Sequence, residues 1–404
     1  MEKIHAFTYG EMFDAYEDCI KNKRNTDNAR QFSFDYIGNV IRLCDEINDG
    51  KYDIGKSIAF IVTFPKLREV FAADFRDRVV HHLVIRELMP YFNEYFIKES
   101  FSCMKNRGVL YGVETMLRYM CECTENYTVD SWVLKMDIKS FFMSIDKHIL
   151  DSMLDEFIVE HYKDERKKDK LRELCHKIVM HHPEDNCDMR GDMSLWKRLD
   201  PSKSLFCVGK ERGLPIGNLT SQIFANFYLT KLDRYIKDEL GFEYYGRYVD
   251  DFVIISRDKQ RLLNSVNKIV SFAKRELGLE IHPDKRYFQH YTKGVQFIGS
   301  VIKPNRVYTI NRTIGSLYHK LSSVYKEASE EDLDEFVMTV NSYLGYMCHG
   351  STYNIRKRLF KESGLFEPWK YLIVIDDEYR KINRKNKPKK LTVQLLLPQQ
   401  RLQP

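Results

Sequence analysis

Residues 243–256 read EYYGRYVDDFVIIS, so two adjacent aspartates, Asp250 and Asp251, interrupt a run that is otherwise aromatic and β-branched. Such residues favour strands, and two ionised carboxylates cannot pass through the middle of a buried strand without a large desolvation cost. The run therefore has to turn at the acids, which gives a hairpin with both carboxylates at its tip. Adjacent acids in a turn are usually a solvated turn, the reading that suits Asp146 and the Asp376-Asp377 pair. Apolar framing on both sides sets Tyr248-Val249-Asp250-Asp251 apart. Upstream, SWVLKMDI (131–138) reads as a short buried strand that ends in Asp137 and is followed by two aromatics, Phe141 and Phe142. Carboxylates delivered by separate strands suit magnesium, which prefers hard oxygen ligands and keeps several waters. Two such ions, about 3.5–4 Å apart, activate a hydroxyl and neutralise a departing pyrophosphate. Asp137, Asp250 and Asp251 are the candidate metal ligands.

The rest of the chain organises around these points. Residues 10–50 look helical and close at the Asn48-Asp49-Gly50 turn signal. Ile58 to Val62 is strand-like and Pro65 breaks it. From Phe71, apolar residues recur at Phe75, Val79 and Leu83 along a helix that also carries Arg76, Arg78 and Arg86. Residues 151–210 are charged, with helical pieces. The loop GLPIGNLTSQ (213–222) leads into a helix spaced by Phe224, Tyr228, Leu232, Tyr235 and Leu240. A helix over 260–277, a strand pair around Val295 to Ile302 and a mostly helical last hundred residues follow. Strands alternating with helices between 131 and 302, then helices, predict an α+β core with a helical appendage.

In this order, PKLREVFAADFRDRVVHH (65–82), KMDIKSFF (135–142), GLPIGNLTSQ, YVDD (248–251), LEIHPDK (279–285) and QFIGSVI (296–302) resemble the ordered motifs of reverse transcriptases across roughly residues 10–365. IGNLTSQ further resembles the reverse transcriptases of diversity-generating retroelements, in which Ser221-Gln222 stands where intron and retron enzymes carry Ser-Pro. The resemblance implies a right-hand polymerase: fingers over 1–130, a ferredoxin-like palm over 131–305 with an insertion at about 151–212, and a helical thumb with a basic tail over 306–404. It implies an RNA-directed DNA polymerase that copies a template-repeat RNA from a DNA or RNA primer into cDNA with deoxynucleoside triphosphates, misincorporating opposite adenines. Two Mg2+ ions, replaceable by Mn2+, would sit on Asp137, Asp250, Asp251 and the carbonyl of Ile138. Phe142 matches the aromatic that excludes a 2′-hydroxyl. Ile216 replaces the usual glutamine, which removes a polar contact to the nascent pair. Gly217 matches the position where backbone approaches that pair, since no Cβ is in the way. Lys66 and Arg68 match cations that grip the triphosphate, with Arg76 and Arg78 as competitors. Lys285 matches a lysine beside the leaving pyrophosphate, and Phe297-Ile298-Gly299 a hairpin that grips the primer. One segment departs from the pattern: in CMKNRGV (103–109), Met104 and Asn106 replace residues of a motif with one arginine and two glycines. The family also implies a small basic accessory protein. A retron-like or abortive-infection reverse transcriptase in phage defence, and a pseudo-polymerase that only binds RNA, are the alternatives.

Bulk properties bound this reading. A chain of 404 residues exceeds what a single core usually serves and leaves no room for a ribonuclease H or endonuclease beside a polymerase. The net charge, 64 minus 58, is only +6. No acid follows Glu378, whereas Lys381, Arg384, Lys385, Lys387, Lys389, Lys390 and Arg401 do; this is either a solvated end or a phosphate-contacting arm. The 9 cysteines include no CxxC pair, and Cys121 with Cys123 is too tight for zinc. They read as free thiols in a reducing compartment. His81-His82 and His181-His182 lack acids at ligand spacing and read as surface or core residues. Neither a signal peptide nor a membrane span is evident, which points to the cytoplasm of a bacterium or a phage-infected cell.

Overall fold

The computed structural model describes residues 5–21, 24 and 26–385; Lys387, Lys389, Lys390 and Arg401 of the basic tail lie outside them. The described residues form two compact units, one running up to 298 with 302–305, the other made of 299–301 with 306–385.

The first unit begins with helices α1 (Tyr9–Ile20), α2 (Asp27–Ser33) and α3 (Tyr36–Asn48), then strands β1 (Ser57–Val62) and β2 (Arg68–Ala72). Thr8 and Glu11 form a reciprocal capping box at the start of α1. Helix α4 (Phe75–Tyr95) starts at Phe75. Phe71, helical by its spacing in the sequence, is on β2, where it pairs with Ala59; Asp74 caps the helix by accepting from the Arg76 N–H at 3.0 Å and so delays its start. After α5 (Val109–Cys123) come β3 (Trp132–Asp137), a single turn α6 (Phe141–Ser144), and the long helices α7 (Lys147–His161) and α8 (Glu165–Met180). Strand β4 (Cys187–Arg190) then pairs parallel with β1. Buried Glu69 of β2 fastens the inserted segment, accepting from Trp196 Nε1 at 3.0 Å, Ser204 Oγ at 2.7 Å and the Leu205 N–H at 2.7 Å.

The single helix expected across 224–240 is three pieces: α9 (Leu219–Tyr228), α10 (Thr230–Arg234) and a π-turn over Tyr235–Glu239. A π-turn shifts the side-chain register of the helix it interrupts, and here Tyr235 stacks on Phe272 at 3.8 Å between centroids. Hairpin β5 (Tyr244–Tyr248) and β6 (Asp251–Ser256), helix α11 (Lys259–Leu277), strand β7 (Tyr287–His290) and three short strands, β8 (Val295–Phe297), β9 (Ser300–Lys303) and β10 (Arg306–Thr309), complete the succession. The main sheet has the order β5-β6-β3-β7, antiparallel throughout. With connecting helices after β3 and β6, that is the ferredoxin-like arrangement expected. The division expected at residue 130 separates no compact units, because one apolar core runs from Phe7 through Val79, Met136, Phe227 and Phe252 to Ile281.

In the second unit, α12 (Asn311–Ser323), α13 (Leu333–Cys348) and α14 (Tyr353–Lys361) surround Trp369, which stacks on Phe336 at 3.8 Å and donates from Nε1 to the Tyr325 carbonyl at 2.9 Å. A short ribbon, β11 (Ile373–Ile375) with β12 (Ile382–Arg384), is added to the helices. Among the described residues no helix is long and apolar enough to cross a membrane.

Buried ionisable side chains shape the first unit. Arg247 of β5 is fully buried and pairs with Asp233 of α10 (Nη2 to Oδ2 2.6 Å, Nε to Oδ1 2.7 Å). Its remaining donors reach Asn226 Oδ1 at 2.9 Å and the Val249 carbonyl at 3.0 Å. Removing one partner of a buried pair strands the other charge, which costs about 3–5 kcal/mol. Asp233→Ala is therefore expected to lower the urea-unfolding free energy by about that amount, and the Asp233→Leu/Arg247→Met double substitution by clearly less than the sum of its singles.

Asp77 of α4 is also fully buried, accepting from Tyr52 Oη at 2.9 Å and from the Gly55 N–H at 2.9 Å. Burial pushes its carboxyl up to about 6, from 3.8. The fold thus binds a proton that the unfolded chain releases: the contribution is complete below about pH 4 and is lost as pH rises through about 6, on the order of 2–3 kcal/mol. Asn at this position can accept from Gly55 and donate to Tyr52 without titrating. In denaturant titrations, wild type minus Asp77→Asn should therefore lose stability between pH 4 and pH 7; a difference independent of pH would refute the assignment.

Candidate active site

Side chains alternate across a strand, and this period builds the site. Met136 and Leu134 of β3 face the core with Phe252 and Ile254 of β6, while Lys135 and Asp137 share the opposite face. Asp137 is the register partner of Asp251. Like charges directly opposite each other are destabilising, and Asp250 stands beside them on the two-residue turn. That turn has Val249 at φ +57°, an unfavourable conformation for a β-branched residue. It is held on both sides: the Val249 N–H donates to Ser102 Oγ at 3.3 Å, and its carbonyl accepts from Arg247. The Asp250 carbonyl accepts from the Ile138 N–H at 3.1 Å, and the Asp137 carbonyl from the His282 N–H at 2.8 Å. Three acids from two segments distant in sequence are thereby fixed through backbone.

Cations answer this concentration of charge. Lys285 Nζ lies 2.8 Å from Asp137 Oδ1. Lys135 Nζ lies 2.8 Å from Asp251 Oδ2 and also donates to the Gln296 carbonyl at 2.8 Å. Burial pushes the Asp251 carboxyl up to about 6, with Lys135 opposing and the other two acids adding to the shift. Burial likewise raises Asp250, Asp137 adds to it, and Lys285 and Arg68 pull it back. The motif order gives Lys135 no part; a lysine two residues before Asp137 on an otherwise apolar strand is the signal that could have found it.

Two oxygens here suit a hard cation. Asp251 Oδ1 is buried without a hydrogen-bond partner, and the Ile138 carbonyl accepts no hydrogen bond among the described residues. With ammonium groups against Asp137 and Asp251, no three ligating side chains among the described residues converge on one point. The donor set fits magnesium in chemistry: carboxylate and carbonyl oxygen only.

The first β-hairpin and the 213–218 loop border the acids. The Phe71 N–H donates to the Ile216 carbonyl at 2.8 Å, and the Ala73 N–H to Asn218 Oδ1 at 3.1 Å. Gly217 has φ +123°, and a Cβ there would stand 2.7 Å from Val70 Cγ1 and 3.0 Å from the Phe71 carbonyl oxygen. The space its missing side chain leaves is thus filled by β2, which gives this glycine a role within the chain itself. Ile216 and Phe142, both half-buried, pack against one apolar cluster with Ala59, Phe71, Met143 and Leu205. Phe141 is core. Arg68, exposed on β2, stands close enough to Asp250 to favour its charged form. Lys66 is exposed in the turn between β1 and β2. Its competitors are committed elsewhere: Arg76 pairs with Glu46 and lies over the Tyr52 ring, and Arg78 donates to the Ala73 carbonyl at 2.8 Å.

At the turn expected to grip a primer, Phe297 is fully buried, 6.3 Å from the Phe101 ring, so its ring is a core element and the turn offers backbone in its place. Ile298 takes φ +47°. In the second unit, Gly299 takes φ +73° and its carbonyl accepts from Tyr346 Oη at 2.8 Å. Of the departing segment, Met104 joins the core and Asn106 adopts φ +62°, a conformation asparagine tolerates in place of glycine. His81 is buried and His82 half-buried on α4; burial lowers His181 to about 4.

Comparison with known proteins agrees with this geometry. The curated relatives include the putative COX1/OXI3 intron 2 protein of Saccharomyces cerevisiae, 21% identical over 382 residues (78% of this chain, 40% of that protein), and protein YkfC of Escherichia coli, 21% identical over 269 residues (58% and 62%). The chain thus spans less than two thirds of either. Solved structures that align with it include telomerase from Candida albicans in complex with a telomeric RNA fragment (13% identity, TM-score 0.44, 79% of this chain and 57% of that one) and apo telomerase from Candida tropicalis (13%, 0.48, 76% and 55%). The family model for reverse transcriptase (RNA-dependent DNA polymerase) matches residues 65–302, from the β1–β2 hairpin through all three acids to β9. On that match, the chain belongs to the reverse transcriptase family.

Proposed function

We propose that this chain is an RNA-directed DNA polymerase, extending a DNA or RNA primer along an RNA template with deoxynucleoside triphosphates. The observation that carries this is the opposition of Asp137 to Asp251, with Asp250 on the adjoining turn: an arrangement unfavourable by itself and suited to binding cations. Asp137, Asp250, Asp251 and the Ile138 carbonyl would hold two magnesium ions, which supply activation of the primer hydroxyl and neutralisation of the pyrophosphate; manganese can replace them. Arg68 and Lys66 bind the triphosphate oxygens. Lys285 carries a proton for the leaving pyrophosphate. Phe142 lies under the sugar and rejects a 2′-hydroxyl by bulk.

Within the family, we assign the chain to the diversity-generating type, which copies a template-repeat RNA with errors at adenines and works with a small basic accessory protein. Ser221-Gln222 and Ile216 support this. Ile216 offers alkyl packing beside Phe142 and no polar group, so a mismatched pair loses less there than it would against a hydrogen-bonding side chain. Primer extension on the RNA flanking the gene, with and without any small neighbouring gene product, tests the assignment. Activity that disappears with Asp250→Ala and errs mainly at template adenines is the expected result. Accurate extension would place the chain with retron or intron enzymes, and no extension under any condition would leave an RNA-binding protein. In the same assay, Phe142→Ala should weaken discrimination against ribonucleotides by on the order of 10²-fold.

A further inference from the structure

Lys135 has no part in the proposed reaction, yet its surroundings are specific. It lies two residues before Asp137 on β3, so the period of the strand puts both side chains on one face. Across the ladder its register partner is Val253, which brings its ammonium diagonally onto Asp251. The same nitrogen donates to the main-chain carbonyl of Gln296 on β8, immediately before Phe297 and Ile298. Lys285, the other ammonium at the acids, has half of its side chain exposed, whereas that of Lys135 is 14% exposed. An exposed lysine on a four-carbon stem moves aside readily. A lysine whose ammonium is held by both a carboxylate and a carbonyl, with most of its stem covered, does not.

We propose that Lys135 is a positioning residue of the polymerase site, tying Asp251 to strand β8 so that one ammonium sets both the carboxylate and the backbone of the 297–298 turn. The inference rests on the polymerase reading and goes beyond it. Lys285 is then the counter-ion that yields to substrate and metal, and Lys135 the one that stays. Two consequences separate Lys135 from an ordinary structural lysine. Loosening Asp251 slows the chemical step, since a misplacement of about 1 Å costs ~10²-fold in rate. Releasing β8 weakens placement of the primer end but leaves the triphosphate contacts on β2 untouched.

The test is steady-state primer extension by the full chain carrying Lys135→Met or Lys135→Arg, with thermal melting of each protein. Lys135→Met should melt within a few degrees of wild type, lose ~10²-fold in kcat, raise the KM for primer–template ~10-fold through the lost charged hydrogen bond, and leave the KM for deoxynucleotides unchanged. Lys135→Arg, with charge and donors kept, should recover most of kcat. If Lys135→Met does not fold, Lys135→Gln gives the same readout. Wild-type kinetics in the Met variant would overturn the proposal, as would a loss of kcat, both KM values and melting temperature together that arginine fails to rescue. An inactive wild-type protein would instead overturn the polymerase reading, and this proposal with it.

Discussion

The buried pair of Arg247 and Asp233 is the interaction on which the site depends. One guanidinium joins α10, through Asp233; α9, through Asn226; and the Val249-Asp250 turn, through the Val249 carbonyl. Backbone bonds add the segment before α5, where the Phe101 N–H donates to the Arg247 carbonyl and the Arg247 N–H to the Glu99 carbonyl, both at 2.9 Å. Apolar pairs of equal volume often serve stability as well or better. Such a pair could not hold Val249 in a left-handed conformation, because that takes a directed donor aimed at one carbonyl. The desolvation of two charges is thus set against the placement of Asp250, which no side chain at the turn could achieve alone.

Electrostatics at the sheet surface follow a similar logic. An antiparallel ladder that seats Asp137 opposite Asp251 is unfavourable by construction, and burial adds to the penalty at Asp250 and Asp251. The fold tolerates this because cations come from three directions: Lys135 from within β3, Lys285 from the turn before β7, and Arg68 from the β1–β2 hairpin. Carboxylates placed against their own repulsion would gain from the divalent ions proposed above, with the stability forgone without them becoming part of the affinity for them.

Much of this is legible in the sequence. Acids inside apolar strands have few solutions other than strand ends and turns, so Asp137, Asp250 and Asp251 can be located from pattern alone; the order of strands and helices implies an α+β core, and the resemblance to reverse transcriptases implies its ferredoxin-like sheet. The features that escape such a reading depend on partners remote in sequence. Arg247 looks like one more basic residue, because nothing local announces Asp233 14 positions away as its counter-ion. Phe71 carries helical spacing but is drawn into β2 by pairing with Ala59. A division between the first 130 residues and the sheet comes from motif order, which holds no information about a shared core. Gly217 is marked in the sequence as a place where a Cβ cannot fit, while the neighbour that excludes it, Val70, becomes visible only in three dimensions.

The join between β2 and the 213–218 loop bears on the proposed loss of fidelity. Phe71 to the Ile216 carbonyl, Val70 against Gly217, and Ala73 to Asn218 are contacts made by backbone, by a missing Cβ or by the Asn218 side chain; none uses the side chain of Ile216. The hydrogen bonds that place β2, and Arg68 at its start, do not use the side chain of residue 216, which adds apolar packing against the cluster containing Phe71. On the proposed reading, an apolar side chain there would change what the nascent pair meets, while these backbone bonds would still hold β2 against the loop. On the proposed reading, selectivity and chemistry would be separable here, so that the choice of nucleotide could loosen without loosening the machinery that joins it.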